Sequence, residues 1–164
     1  MSKNDSEALS TTRRRPIEAE RIIRTYQLIY HSTSLVPALA NGGRSQIESI
    51  FSVATARNAK VGVTGALAFN DFYFAQVLEG GFDAVKATFA GIVKDVRHTK
   101  VVVLQEGWVE ARDFSQWAMG YVEDEASIRL ISDNLRLQDI LSKERQMAAL
   151  ALVEMMKFWL LRSA

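Results

Sequence analysis

VGVTGALAFNDFYFAQVLEGG, residues 61–81, is the stretch that decides the fold of this 164-residue chain. Val61 to Phe69 and Tyr73 to Leu78 are both rich in residues that suit a pleated, half-buried surface. Only the polar link Asn70-Asp71-Phe72 separates them, so the stretch reads as a β-hairpin. Glu79-Gly80-Gly81 then stops the second strand. Gln76 breaks the pattern: it stands among Phe74, Ala75, Val77 and Leu78, where a side-chain amide needs hydrogen-bond partners.

Upstream of the hairpin, Tyr26 to Tyr30 (YQLIY) is a short buried strand that ends at the turn-prone His31-Ser32-Thr33-Ser34. After Gly42-Gly43, the segment Ser45 to Asn58 spaces Ile47, Ile50, Phe51 and Ala54 as one helix face. Ser45 is its expected N-cap, and Glu48 completes a capping box. Downstream, Phe82 to Asp95 carries Phe82, Val85, Phe89, Ile92 and Val93 at spacings of three and four, a second amphipathic helix. Thr99 to Leu104 (TKVVVL) is a strand covered on both faces or placed centrally, and a fifth short strand is expected near Ser115 to Tyr121. The order β-α-β-β-α-β-β predicts an α+β, ferredoxin-like sheet with two helices on one face.

From Ala126 onward the pattern is helical, first Ile128 to Leu135 and then Gln138 to Arg162. The last helix is apolar almost all round from Met147 to Leu161, so it must be covered by the open face of the sheet or by another chain. The division expected from these patterns is a polar extension over 1–23, a sheet domain over 24–122 and a helical extension over 123–164.

Composition excludes several classes. Lys and Arg total 20 against 19 Asp and Glu, a net charge of +1, which gives no general affinity for nucleic acid or another polyanion. With no cysteine there are no disulfides, zinc-finger ligand sets or thiol nucleophiles, and a cytoplasmic location is expected. The start, Met1 to Glu18, is polar, carries Arg13, Arg14 and Arg15, and has no apolar core of a secretion signal. Glu154 and Lys157 interrupt the longest apolar run, so no membrane span is expected. His31 and His98, the only histidines, read as ordinary surface or capping residues and give no metal site. Glu79, Asp95 and Glu106 read as solvated turn carboxylates rather than an acid–base pair.

Five ordered stretches resemble the BLUF family (blue light sensing using FAD): LIYHS at 28–32, RNAKVGVTGALAF at 57–69, FAQVLEG at 74–80, KDVRH at 94–98 and RDFSQWAMGY at 112–121. The resemblance runs from Thr25 to Tyr121. It implies a noncovalently bound flavin, usually FAD with FMN or riboflavin as alternatives, held between the two helices. It also implies light-driven electron and proton movement between a tyrosine and the flavin, with a rearranged hydrogen-bond network as the lasting change. On this chain the tyrosine falls on Tyr30 and the glutamine on Gln76. Asn58 matches the asparagine that faces the polar edge of the ring, with Arg57 beside it. Ile50 and Ile92 match the aliphatic clamps, and Asp95, Arg97 and His98 the polar cluster near the ribityl chain. Trp117 and Met119 match the switch-strand pair, and Ser32 a more distant partner. Gly91 departs from relatives that carry a long polar or basic residue there, so one ligand contact is missing or supplied from elsewhere.

The chemistry of the central pair stands apart from the resemblance. A phenol can release an electron and a proton together, and a side-chain amide holds a donor and an acceptor that exchange places by rotation or tautomerisation. After Tyr121 only 43 residues follow, too few for a cyclase or cyclic-dinucleotide phosphodiesterase domain. The expectation is therefore a photoreceptor without its own output enzyme, acting through a homo-oligomer or a downstream protein partner. Two alternatives accompany it: a small hydrolase of acylphosphatase type on the same scaffold, and an interaction module of the same family that has lost light sensing.

Overall fold

The computed structural model describes residues 24–36, 43–123 and 142–163. Their order is β1 (Thr25–Ser34), α1 (Arg44–Val61), β2 (Thr64–Phe69), β3 (Tyr73–Gly80), α2 (Phe82–Val93), β4 (His98–Val109), β5 (Gly120–Val122) and α3 (Ser142–Ser163). The strands form one mixed sheet in the order β4-β1-β3-β2-β5, antiparallel except for the parallel β2–β5 pair. This is the expected α+β, ferredoxin-like arrangement.

The two faces of the sheet carry separate cores, because successive strand residues point to opposite sides. Leu28, Tyr30, Leu67, Leu78 and Met119 pack with Ile47 of α1 and Val85 of α2 on one face. Ile29, Ala66, Val77, Leu104 and Phe114 pack with Leu152, Val153, Met156 and Leu160 of α3 on the other. With both faces covered, β1, β2 and β3 are buried almost throughout, and this accounts for their nearly unbroken apolar runs.

Several boundaries move for identifiable reasons. β1 runs on through His31-Ser32-Thr33-Ser34, because these residues still pair with β3 and with Phe72. The hairpin link is held by Asn70, whose Oδ1 accepts the backbone N–H groups of Phe72 at 3.0 Å and Tyr73 at 2.7 Å. The expected capping box at Ser45 does not form. Gly43, at φ +91°, is the N-cap without a side-chain bond, so α1 starts one residue earlier and Ser45 lies inside its first turn. At its other end α1 absorbs Val61 and stops at Gly62, at φ +69°, a left-handed conformation that favours glycine. β2 accordingly begins at Thr64 rather than Val61.

α2 ends at Val93 instead of Asp95, because the N–H groups of Lys94 and Asp95 turn back to Gly91 and Ile92. β3 extends through Glu79 and Gly80. β4 lies at the sheet edge but has apolar side chains in both cores, Val101 on the α1/α2 face and Val102 and Leu104 beneath α3. The fifth strand is only Gly120–Val122, since residues 113–116 form a turn that Trp117 N–H closes on Phe114 O.

α3 covers the second face with Ala149, Leu152, Val153, Met156 and Leu160, while Met147, Leu150, Phe158 and Leu161 remain exposed. The expected helix Ile128 to Leu135, residues 138–141 of the next one and the extension over 1–23 lie outside the described residues. No described helix is long and apolar enough to cross a membrane.

Gly65 is required by contact: a Cβ there would sit 2.0 Å from the backbone oxygen of Val77 on β3. Gly65→Ala should lower stability by about 3 kcal/mol or more in urea denaturation, because backbone cannot move aside as a side-chain tip can. Gly107→Ala, where a Cβ meets nothing within 4 Å, should stay within about 0.5 kcal/mol of the parent.

Candidate functional site

Tyr30 and Gln76 are register partners on adjacent strands, so both side chains rise from the same face, the one beneath α1 and α2. On its other side β1 slips register against β4 between Ile29 and Tyr30, an irregularity of the kind that re-aims a side chain. The Tyr30 hydroxyl donates to Gln76 Oε1 at 2.6 Å, and Gln76 Nε2 donates to Met119 Sδ at 3.5 Å. Burial pushes the Tyr30 phenol far above its ordinary value, and the negative charge of Asp95 adds to the shift.

Above this pair lies a cavity of about 450 Å³ between α1, α2 and the sheet. Tyr30, Ile50, Arg57, Asn58, Gln76, Ile92, Asp95, Arg97 and His98 all line it. Ile50 enters from α1 and Ile92 from α2. Asn58 is 1 % exposed: its side-chain Nδ2 donates to Ala118 O at 2.9 Å, and its backbone carbonyl accepts from Val63 N–H at 3.0 Å. α1 continues one turn past Arg57 and Asn58, so both project from its last full turn rather than from its end.

The polar end of the cavity is built by the segment after α2. Asp95 Oδ1 accepts the backbone N–H of Arg97 at 2.9 Å and its Nε at 2.8 Å, and Asp95 Oδ2 accepts Arg97 Nη2. The hydrogen bond from the Arg97 guanidinium holds the Asp95 carboxyl below the usual carboxylate range. His98 is half-buried and caps the end of α2, in keeping with the capping expectation: Nε2 lies 2.7 Å from Ile92 O and Nδ1 lies 2.8 Å from Ser32 Oγ. A carbonyl only accepts, so Nε2 carries the hydrogen, and in the neutral ring Nδ1 accepts from Ser32. Ser32 therefore acts behind His98, beyond the cavity wall. His31 is also buried.

The switch-strand pair is split between the two faces. Met119 is buried against Gln76, whereas Trp117 packs with the α3-side core, its ring 6.5 Å from that of Phe114. Gly91 lines the cavity with open space where a side chain would be. The sequence reading missed Lys60, Phe74 and Thr88 on the wall. Lys60 lies two residues past Asn58, in a turn of α1 that the shorter expected helix did not include. Glu79, expected to be solvated, is wholly buried.

The donor set suits a flat heteroaromatic ligand. Most of the wall is apolar, and the polar groups gather at the Gln76–Asn58 side and at the Asp95–Arg97–His98 end. Gln76 adds spare donor capacity, because an amide nitrogen has two hydrogens and a thioether is a weak acceptor. A flavin, with one polar ring edge and a polar chain, fits this distribution. Among the described residues no cluster of three or more metal-ligating side chains occurs.

Comparison with known proteins agrees with this geometry. The blue light- and temperature-regulated antirepressor BluF of Escherichia coli (strain K12) is 39 % identical over 74 residues, covering 45 % of this chain and 18 % of the relative. Photoactivated adenylate cyclase subunit alpha of Euglena gracilis is 34 % identical over 93 residues, 57 % of this chain and 9 % of the relative. The chain thus spans less than a fifth of either curated relative. Among solved structures, BlrB, a BLUF protein in its dark state, superposes with a TM-score of 0.60 at 26 % identity over 80 % of this chain and 95 % of that one. Klebsiella pneumoniae BlrP1 with FMN and cyclic diGMP gives 0.56 at 26 % identity, over 78 % of this chain and 34 % of that one. The family described as BLUF, sensors of blue-light using FAD, matches residues 25–120, more than half of the sequence, and the chain belongs to that family.

Proposed function

We propose that this chain senses blue light through a flavin, FAD or in its place FMN or riboflavin, bound noncovalently in the cavity between α1 and α2. Tyr30 and Gln76 are the responding pair. The observation that carries this reading is the 2.6 Å hydrogen bond between them at one register position on the cavity wall. A bound flavin supplies absorption of blue light and a ring that takes up an electron. Tyr30 contributes a neutral phenol, the form from which an electron and a proton leave together. Gln76 answers by exchanging its donor and acceptor positions, which changes the partner offered both to the Tyr30 hydroxyl and to Met119. Because the surroundings are apolar, one such exchange has a large electrostatic effect.

The remaining lining residues hold the ligand in this reading. Ile50 and Ile92 give apolar surfaces to the ring, Asn58 and Arg57 face its polar edge, and Asp95, Arg97 and His98 meet the polar chain. Lys60 and the space at Gly91 bear on the contact that the departure at Gly91 removes.

The signal leaves through protein contacts in a domain spanning 24–122. Leu160 of α3 rests on Gly120, next to Met119, so closely that an added Cβ would lie 2.5 Å from its Cδ1. The exposed Met147, Leu150, Phe158 and Leu161 of α3 support assembly into a homo-oligomer or docking of a downstream protein. The absence of cysteine suits a cytoplasmic setting, and the balanced charge argues against nucleic acid as partner.

Purified protein should be yellow, and blue illumination should shift its flavin band reversibly to longer wavelength. Gln76→Leu should remove the shift and Tyr30→Phe abolish or greatly impair it. A colourless protein that gains no flavin on reconstitution, or an unaffected Tyr30→Phe photocycle, would refute the assignment. Since burial raises the Tyr30 phenol, it stays protonated well past the range of a free tyrosine, about 10. The size of the shift should therefore be the same at about pH 6 and about pH 9, where an ordinary phenol is also still protonated, and should not begin to fall near pH 10.

A further inference from the structure

Among the described residues Glu79 is the one buried carboxylate, and the photochemical pair does not use it. Its side chain has no exposure to solvent, three residues along β3 from Gln76 but on the opposite face of the sheet. Oε1 accepts the backbone N–H of Asp113 at 2.9 Å and Gln27 Nε2 at 2.9 Å, and Oε2 accepts the backbone N–H of Phe114 at 2.9 Å. A buried carboxylate with three N–H donors is a strong, specific anchor, and what it anchors is the start of the segment that carries Trp117 and Met119.

That segment is fixed at successive points. Glu79 holds residues 113 and 114. Trp117 O accepts Gly65 N–H at 3.0 Å, and Ala118 O accepts Asn58 Nδ2 at 2.9 Å. Met119 Sδ meets Gln76 Nε2 at 3.5 Å, the weakest contact of the series. In a regular strand, residues two apart share a face. Trp117 and Met119 fall on opposite faces only because the chain from 113 to 119 is irregular and pairing starts at Gly120. Their placement is therefore set by where the segment is pinned. The same end also carries α3, since Asp113 accepts Lys157 Nζ at 3.2 Å through Oδ1 and Gln27 Nε2 at 3.1 Å through Oδ2.

We propose that Glu79 is a positioning residue of the light switch, the fixed end of a segment whose far end rests on Gln76, and that it sets Met119 against Gln76 with Trp117 on the α3 face. This rests on the photoreceptor reading above. When the Gln76 amide exchanges its groups, Met119 is free to shift, and the clamp at 113–114 provides the reference that returns it.

Glu79→Gln is the test, because an amide has one acceptor oxygen and a nitrogen that only donates, so one backbone N–H loses its partner. In a Trp108→Phe/Trp159→Phe background, Trp117 is the sole tryptophan, and its emission in the dark reports its surroundings. Glu79→Gln should move that emission toward the value of an exposed indole. It should retain the flavin red shift but slow dark recovery by roughly tenfold, the factor expected for one such bond. Asp113→Pro, which removes one clamped N–H, should act in the same direction, whereas Asp113→Ala, which keeps the N–H and loses the carboxylate, should leave the Trp117 emission in place. Unchanged emission and recovery in Glu79→Gln, or identical emission in the two Asp113 variants, would overturn the assignment. If the parent shows no red shift, the photoreceptor reading fails, and the dark emission of Trp117 still decides the role of Glu79. If Glu79→Gln does not fold, the Asp113 pair decides it.

Discussion

The hydrogen bond from the Tyr30 hydroxyl to the Gln76 carbonyl exists only because β1 and β3 are antiparallel neighbours in a single register. A slip of one residue would turn Gln76 toward the α3-side core, where its amide would cost free energy without a partner. The sheet therefore protects this pair at every level. Largely apolar strands are covered on both faces, the Asn70 turn fixes the β2–β3 hairpin, and Gly65 lets β2 approach β3 closely. Two helices then close over the pair and leave a mostly apolar cavity of about 450 Å³ with polar groups at its Gln76–Asn58 side and its Asp95–Arg97–His98 end.

Division of labour between the two faces follows from strand alternation. The face beneath α1 and α2 holds the Tyr30–Gln76 pair and the cavity, and the face beneath α3 holds the core that Trp117 joins. The segment 113–119 meets both, with Asp113 and Phe114 held by Glu79 and Trp117 packed on one side, and Ala118 and Met119 meeting Asn58 and Gln76 on the other. In the proposed switch, this segment is the route by which a change at one amide reaches a helix on the far side of the sheet.

Much of this was legible in the sequence. The alternation of strands and helices gave the element order, and an amide in an apolar strand marked Gln76 before any partner was known. What escaped was decided by tertiary partners. Glu79 looks like a solvated turn residue because nothing in its neighbours announces the backbone N–H groups of Asp113 and Phe114. His98 looks ordinary because Ile92 and Ser32 reach it from other elements. The capping box at Ser45 had the right residues, yet Gly43 at positive φ started the helix first. Trp117 and Met119 could be named as a pair, but not which of them touches Gln76, because that depends on an irregular backbone no periodicity describes.

The exchange of groups at the Gln76 amide is tested most directly by infrared light-minus-dark difference spectra recorded with the glutamine side-chain carbonyls carrying a heavy carbon isotope. A difference band that moves with the label in the parent and is absent in Gln76→Leu is the expected result. A photoactive protein whose difference spectrum is blind to the label would contradict a switch built on this amide.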